Sequence, residues 1–292
     1  MDDAIGETMK TMPEDEMIVE PGIDPLLKLS RDLKQAAKTL TATEARYLVD
    51  AYYQLQRDRI RASHQVLQSE KQGEPHLVIA WLQTNTSTLE RNIKSALDTY
   101  TSAQPVGQWA KSIVGIGPVI AAGLLAHIDI TRAPTVGHIW RFAGLDPTQT
   151  WEKSTKRPWN AELKRLCWLI GESFTKVSGN EKDFYGKLYL ERKAQEITKN
   201  EALAFKDQAE KSLTTKKWRP DTATKAHYEK GMLPPARIHL RAQRYAVKLF
   251  LSHFHHVSYW HHYHEAPPKP YVLDHLGHVH LIQVPNAPEG MK

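Results

Sequence analysis

The chain has 292 residues, of which 41% are hydrophobic and 25% charged. These are the proportions of a globular protein, and they exclude wholesale disorder. No apolar run approaches the roughly 20 residues of a membrane span, and no basic, then apolar leader opens the sequence. The single cysteine, Cys167, excludes an internal disulfide and an all-cysteine metal site. These features predict a cytoplasmic, nucleoid-associated protein without a membrane partner. The net charge is +6, but residues 1–25 carry eight acids against Lys10 alone, a net of −7 that leaves +13 for the rest. A basic body behind an acidic leader is the footprint of a polyanion binder. A solvated surface with a loose tail carries the same charges, so charge alone does not choose between the two.

In chain order, residues 1–24 lack periodicity and are expected to be a disordered acidic leader. Residues 25–104 read as a helical arm. Thr41 and Glu44 form a capping-box signal before a run free of Pro and Gly that reaches Lys71. The break at 72–75 precedes a second long helix, about His76 to Tyr100. Two such helices joined by a tight turn predict an antiparallel, coiled-coil-like hairpin suited to self-association, or one that packs internally. Residues 105–265 read as compact helical structure. Short helices are expected near 109–112, 118–127 and 135–143, then longer ones over 159–178, 181–198, 198–212 and 235–263, with a basic loop at Lys211–Pro220. Residues 266–292 form a His-rich tail, in which Tyr271–Asp274 and His278–Val284 alternate like a short β-hairpin around Leu276-Gly277. The fold class is predominantly all-α.

The most informative segment is Ser112–Leu125, which has the form of a helix-hairpin-helix. Gly115 and Gly117 permit a tight turn and close approach of backbone N–H groups to a phosphate. Pro118 suits the first position of the next helix, whose free N–H groups and dipole favour an anion. Gly115, Gly117 and Val119 are therefore candidate backbone-phosphate contacts, which would hold nucleic acid without reading its sequence. The same residues also fit a Gly-Pro turn between core helices that touches no ligand.

Beyond this hairpin, Ile128–Pro147, with Ala143-Gly-Leu-Asp-Pro147, resembles the C-terminal transposase domain of the IS-one-ten insertion-sequence family. Asn160–Leu166, Phe184-Tyr185, Glu191–Lys193 and the helix from Arg237 resemble its later parts, a coverage of about Gln108–Tyr263. The resemblance implies a helix-hairpin-helix domain acting on DNA, preceded by a coiled-coil arm and a RuvC-like nuclease domain with four acidic metal ligands. The leader's acids lie in no strand pattern, so the expectation is the transposase domain without its nuclease half. The resemblance also implies a nucleophilic serine shortly after the Gly-Leu-x-Pro signature. Ser154 is the one serine there, beside Lys153, Lys156 and Arg157, and it is the catalytic candidate; an ordinary loop serine is the competing reading.

Further basic residues extend the expected nucleic-acid track. Lys153, Lys156 and Arg157 stand among Trp151 and Trp159, and Lys216 and Lys217 precede Trp218. Arg237, Arg241, Arg244 and Lys248 make a stripe on the last helix with no matching acids on that face. The Trp residues are expected in the core. Nine of the 15 histidines fall between His253 and His280; His275, His278 and His280 are the candidates for a Zn site, although a hydrogen-bonded His surface fits better and no cofactor is required. Nucleotide-hydrolysis, dinucleotide and standard hydrolase motifs are absent from the sequence. The functional expectation is a DNA-binding, transposase-like protein of a mobile element, self-associating through its arm, with structured RNA as a second partner class. A catalytically active transposase or recombinase, working with a partner nuclease, and a purely structural protein are the alternatives.

Overall fold

A computed structural model describes residues 28–73, 76–219, 222–268 and 282–291. The acidic leader, the expected β-hairpin and His275, His278 and His280 lie outside the described residues, apart from 282–284, which form no strand. Among the described residues every regular element is helical.

After a short α1 (Arg31–Ala36), the arm is built from α2 (Ala42–Lys71) and α3 (Leu77–Ser102). The capping box at its start is formed in full, with Thr41 accepting from the Glu44 amide and the Glu44 side chain accepting from the Thr41 amide. The arm is apolar at its base and polar midway. At the base, Ala45, Val49 and Tyr52 of α2 meet Leu97 and Tyr100 of α3. Farther out, Glu90 is buried against Arg59 at 2.5 Å, and the helices meet through polar contacts, Gln56 with Glu90 and Gln83 with Ser63.

The helical body follows as α4 (Pro105–Ser112), α5 (Pro118–His127), a 3-10 turn (Ile130–Arg132), α6 (Val136–Phe142), α7 (Ala161–Val177), α8 (Tyr185–Glu201), α9 (Lys206–Thr215), α10 (Ala223–Glu229) and α11 (Pro235–Tyr263). The expected basic loop at 211–220 is thus helical as far as Thr215. Helix α5 joins the two parts because it is apolar on every side. Val119, Ala122 and Ala126 pack on the arm, while Ala121 and Leu124 pack on the body. Its small residues permit this: a Cβ on Gly123 would sit 2.8 Å from Leu166 Cδ2. Helix α11 is the central post: Phe250 stacks on Trp109 and meets Phe174 and Tyr185 edge-on, and Phe254 packs at a tilt against Trp109. A smaller cluster, Phe205, Ala209, Tyr228, Leu233 and Ile238, holds α9 and α10 against the start of α11.

The last described segment returns to the body. Trp109 Nε1 donates to Pro285 O at 2.9 Å, Asn286 Nδ2 donates to Ser112 O at 3.1 Å, and Ile282 O is 2.9 Å from His253 Nε2. His253 Nδ1 in turn faces the Tyr185 hydroxyl at 2.7 Å. A carbonyl only accepts, so Nε2 carries the proton and Nδ1 accepts from Tyr185. Burial lowers the pKa of this imidazole to about 4.

Candidate nucleic-acid interface

The turn between α4 and α5 forms where its glycines predict it. Ile116 N–H donates to Ile113 O at 2.9 Å, and Ile116 anchors the turn in the core at 4% exposure. Gly115 has φ +94, which disfavours any side chain, and Ser173 Oγ donates to its carbonyl at 2.5 Å. Gly117 caps α5 with φ −91, and a Cβ there would meet nothing within 4 Å. The first amides of α5 have no intrahelical acceptor, as at any helix start, and Pro118 contributes none. The Val119 side chain is 6% exposed and packed on the arm, and its N–H, the group expected to meet phosphate, lies in the first turn of α5.

A second feature lies along the opposite reach of α7, where side chains from three elements meet around Gly144. That residue, at φ +64, lets the chain turn sharply out of α6 under Trp159, whose Cγ would lie 2.8 Å from a Cβ. Lys164 Nζ sits 4.0 Å from the Trp159 ring centroid, Arg157 lies 5.5 Å from that of Trp151, and Lys248 Nζ 4.0 Å from that of Trp140. Burial, then Arg244 and Arg157, lower the Lys164 pKa; burial and Arg244 lower that of Lys248, which Asp146 partly offsets. Arg244 therefore acts on both lysines and Arg157 on Lys164, with Asp146 the one acid among these influences; burial, then Arg241 and Arg237, lower the pKa of Arg244 in turn. Beside them a cleft of about 180 Å³ is lined by Lys164, Trp168, Gln243 and Arg244. Crowding of like charge at a partly desolvated surface is unfavourable by itself and is relieved by an anion.

Residues 107–170 match the model of the transposase IS116/IS110/IS902 family. The match supports a mobile-element transposase function and suggests DNA as a partner. It includes the hairpin, the Gly144 turn, Ser154, Arg157 and Lys164, whereas Arg244 and Lys248 reach the same place from outside it. No curated protein and no solved structure matches the chain.

The remaining candidates are scattered. Arg241 is not a free member of its stripe: its Nε donates to Glu196 Oε2 at 2.6 Å, and Arg192 binds the same carboxylate at 2.6 Å. The matching acid comes from α8, which no pattern within α11 could reveal. Arg237, Lys216 and Lys217 are exposed, away from the Gly144 turn in sequence, beside the α9–α10 cluster. Lys153, Ser154 and Lys156 lie in an exposed turn; Ser154 has φ +76, and its hydroxyl has no hydrogen-bond partner among the described residues. Trp151 is 40% exposed, contrary to the expected core placement, and Trp159 and Trp218 are half-buried; Trp168 is 54% exposed, whereas Trp109 is core. Burial also accounts for His253 and His255, and no group of His, Cys, Asp or Glu among the described residues could hold a metal ion. The sequence reading missed Lys164 and Trp168. Their four-residue spacing on one helix, next to a basic loop, was the available signal.

No helix among the described residues is long and apolar enough to cross a membrane.

Proposed function

We propose that this chain is a DNA-gripping, transposase-like protein of a mobile element, which holds phosphate through Arg157, Lys164, Arg244 and Lys248 around the Gly144 turn. The observation that carries the reading is the placement of these cations from the 149–158 loop, α7 and α11: Arg157 and Lys164 lie over the paired Trp151 and Trp159 rings, Lys164 and Arg244 line the Gly144 cleft, and the half-buried Lys248 has Asp146 as its opposing acid. Exposed Trp151 and Trp168 add stacking faces at the same surface, a combination that suits nucleic acid more than a small anion. The hairpin supplies a separate backbone contact through the amides near Gly117, at the other end of α7 from Lys164. Arg237, Lys216, Lys217, Lys153 and Lys156 then act as peripheral charges.

The arm serves self-association in this reading. Val78, Trp81, Leu82 and Leu89 are exposed by 63, 48, 48 and 38% along α3, while the helix pair's own midsection is polar. Sedimentation of the full chain and of Trp81→Glu should separate a dimer from a monomer. Identical monomeric behaviour of the two would remove the arm from the proposal.

The central test is binding of a labelled duplex to the full chain at increasing salt. Affinity should fall steeply, because each neutralised phosphate releases counterions. Salt-insensitive binding, or none at low salt, would overturn the proposal. Duplex DNA and structured RNA of matched length, compared at one salt concentration, identify which nucleic acid is preferred.

A further inference from the structure

On the far side of the 149–158 loop lies a second cleft, of about 290 Å³, between the end of α5, the 3-10 turn, α6 and the loop itself. Ile139 and Phe142 give it apolar walls, and Phe142 is 43% exposed. Two atoms that lining residues contribute, His127 Nδ1 and Gln149 Oε1, are buried without a hydrogen-bond partner among the described residues. The His127 side chain is only 5% exposed, and its Nε2 stands 3.9 Å from Glu162 Oε2. Burial, then Arg46, lower its pKa, so the ring is neutral near pH 7. At 3.9 Å Glu162 is beyond hydrogen-bond distance, but its carboxylate favours the proton on Nε2, the tautomer in which Nδ1 is an acceptor. The Gln149 amide is oriented by its own N–H, which donates to Pro158 O at 3.3 Å, so its free atom is also an acceptor.

A cleft with two unanswered acceptors calls for a ligand that brings two donors, since buried polar groups in folded proteins find partners. Arg132 and Arg141, both exposed, stand at the same cleft and favour an anionic group. Its one carboxylate, Asp129, is already engaged by the Thr131 N–H at 3.0 Å and hydroxyl at 2.6 Å. Apolar walls with an aromatic ring, two acceptors and two cations match a nucleobase bearing an exocyclic amine, with its phosphate. We propose that this cleft receives one unpaired nucleotide of a bound strand, its amino group donating to His127 and Gln149 and its phosphate meeting Arg132 and Arg141. The inference rests on the nucleic-acid reading of the neighbouring surface and assigns that surface a preference for an unpaired, amino-bearing base.

The test uses the full chain and four labelled duplexes: fully paired, and with one unpaired adenine, purine or abasic nucleotide. Unpaired adenine should bind about tenfold tighter than unpaired purine, which lacks only the amine; tenfold is the scale of one or two hydrogen bonds. Gln149→Leu should erase that difference and leave affinity for the fully paired duplex unchanged. Equal binding of adenine and purine by the unaltered chain would overturn the inference without any variant, so a poorly folding Gln149→Leu does not shield it. Persistence of the preference in a folded Gln149→Leu would also overturn it. Strong, salt-sensitive binding of all four duplexes alike defeats this cleft but not the parent reading, whereas no binding of any duplex defeats both. Adenosine monophosphate bound alone, with no strand bound, would overturn the strand as its source.

Discussion

The stripe on α11 offers the sharpest separation of structural from functional charge. By position Arg241 and Arg244 are equivalent, three residues apart on a basic face, yet Arg241 neutralises Glu196, which is 1% exposed, while Arg244 faces Lys164 and Lys248. Each phosphate neutralised on a duplex changes the slope of log K against log salt by about 0.9. Four cations at the Gly144 turn thus give about −3.6, roughly a 150-fold loss of affinity between 50 and 200 mM salt. Arg244→Gln with Lys248→Gln should lower the slope by about 1.8 and shrink that loss to about 12-fold. Arg241→Gln should leave the slope unchanged. It should instead destabilise the fold by about 2 kcal/mol, less than the 3–5 kcal/mol of a fully buried pair, because Arg241 is 34% exposed and Arg192 stays in place. Fluorescence anisotropy across a salt series and urea denaturation read the two effects separately. A slope lowered by about one unit in Arg241→Gln, without loss of stability, would refute the division of labour.

Four further outcomes follow from single positions. Gly117→Ala, at an open site with ordinary φ, should keep full stability but weaken duplex binding if the hairpin amides approach phosphate, whereas Gly115→Ala should cost about 1–2 kcal/mol in urea denaturation because φ is +94. Ser154→Gly should raise stability by a few tenths to about 1 kcal/mol by relieving φ +76, and strand-transfer activity that survives in this variant would remove Ser154 as nucleophile. His253, with its pKa lowered to about 4, stays neutral in the fold while the unfolded chain protonates near pH 6.5, so stability should fall as pH drops between these values. The loss should reach about 2 kcal/mol at pH 5 relative to pH 7, and His253→Gln should flatten that part of the urea midpoint profile.

Local signals made much of this chain readable. Thr41 and Glu44 announce the start of α2 because both halves of the capping box lie within four residues. Gly115, Gly117 and Pro118 announce the hairpin because left-handed φ and helix initiation are properties of those residues themselves. The all-α class and the arm follow from helical periodicity, and the Ala143–Pro147 signature pointed to the stretch that the transposase family match covers. Partnership between distant residues was not readable in the same way. Glu196 claims Arg241 across 45 positions, and the Val119 side chain becomes part of the arm's base because α5 is apolar on both faces.

The opening balance of +13 against −7 could establish only that the body is basic. Charge is additive along a sequence, but its availability depends on which carboxylate stands opposite and how much water is removed. Folding binds Arg241 to Glu196 and crowds Arg157, Lys164, Arg244 and Lys248 around one glycine turn. Local patterns were enough for the long helices, the α4–α5 turn and the sign of the charge. Which of the cations stands opposite a carboxylate was settled only when distant helices packed together.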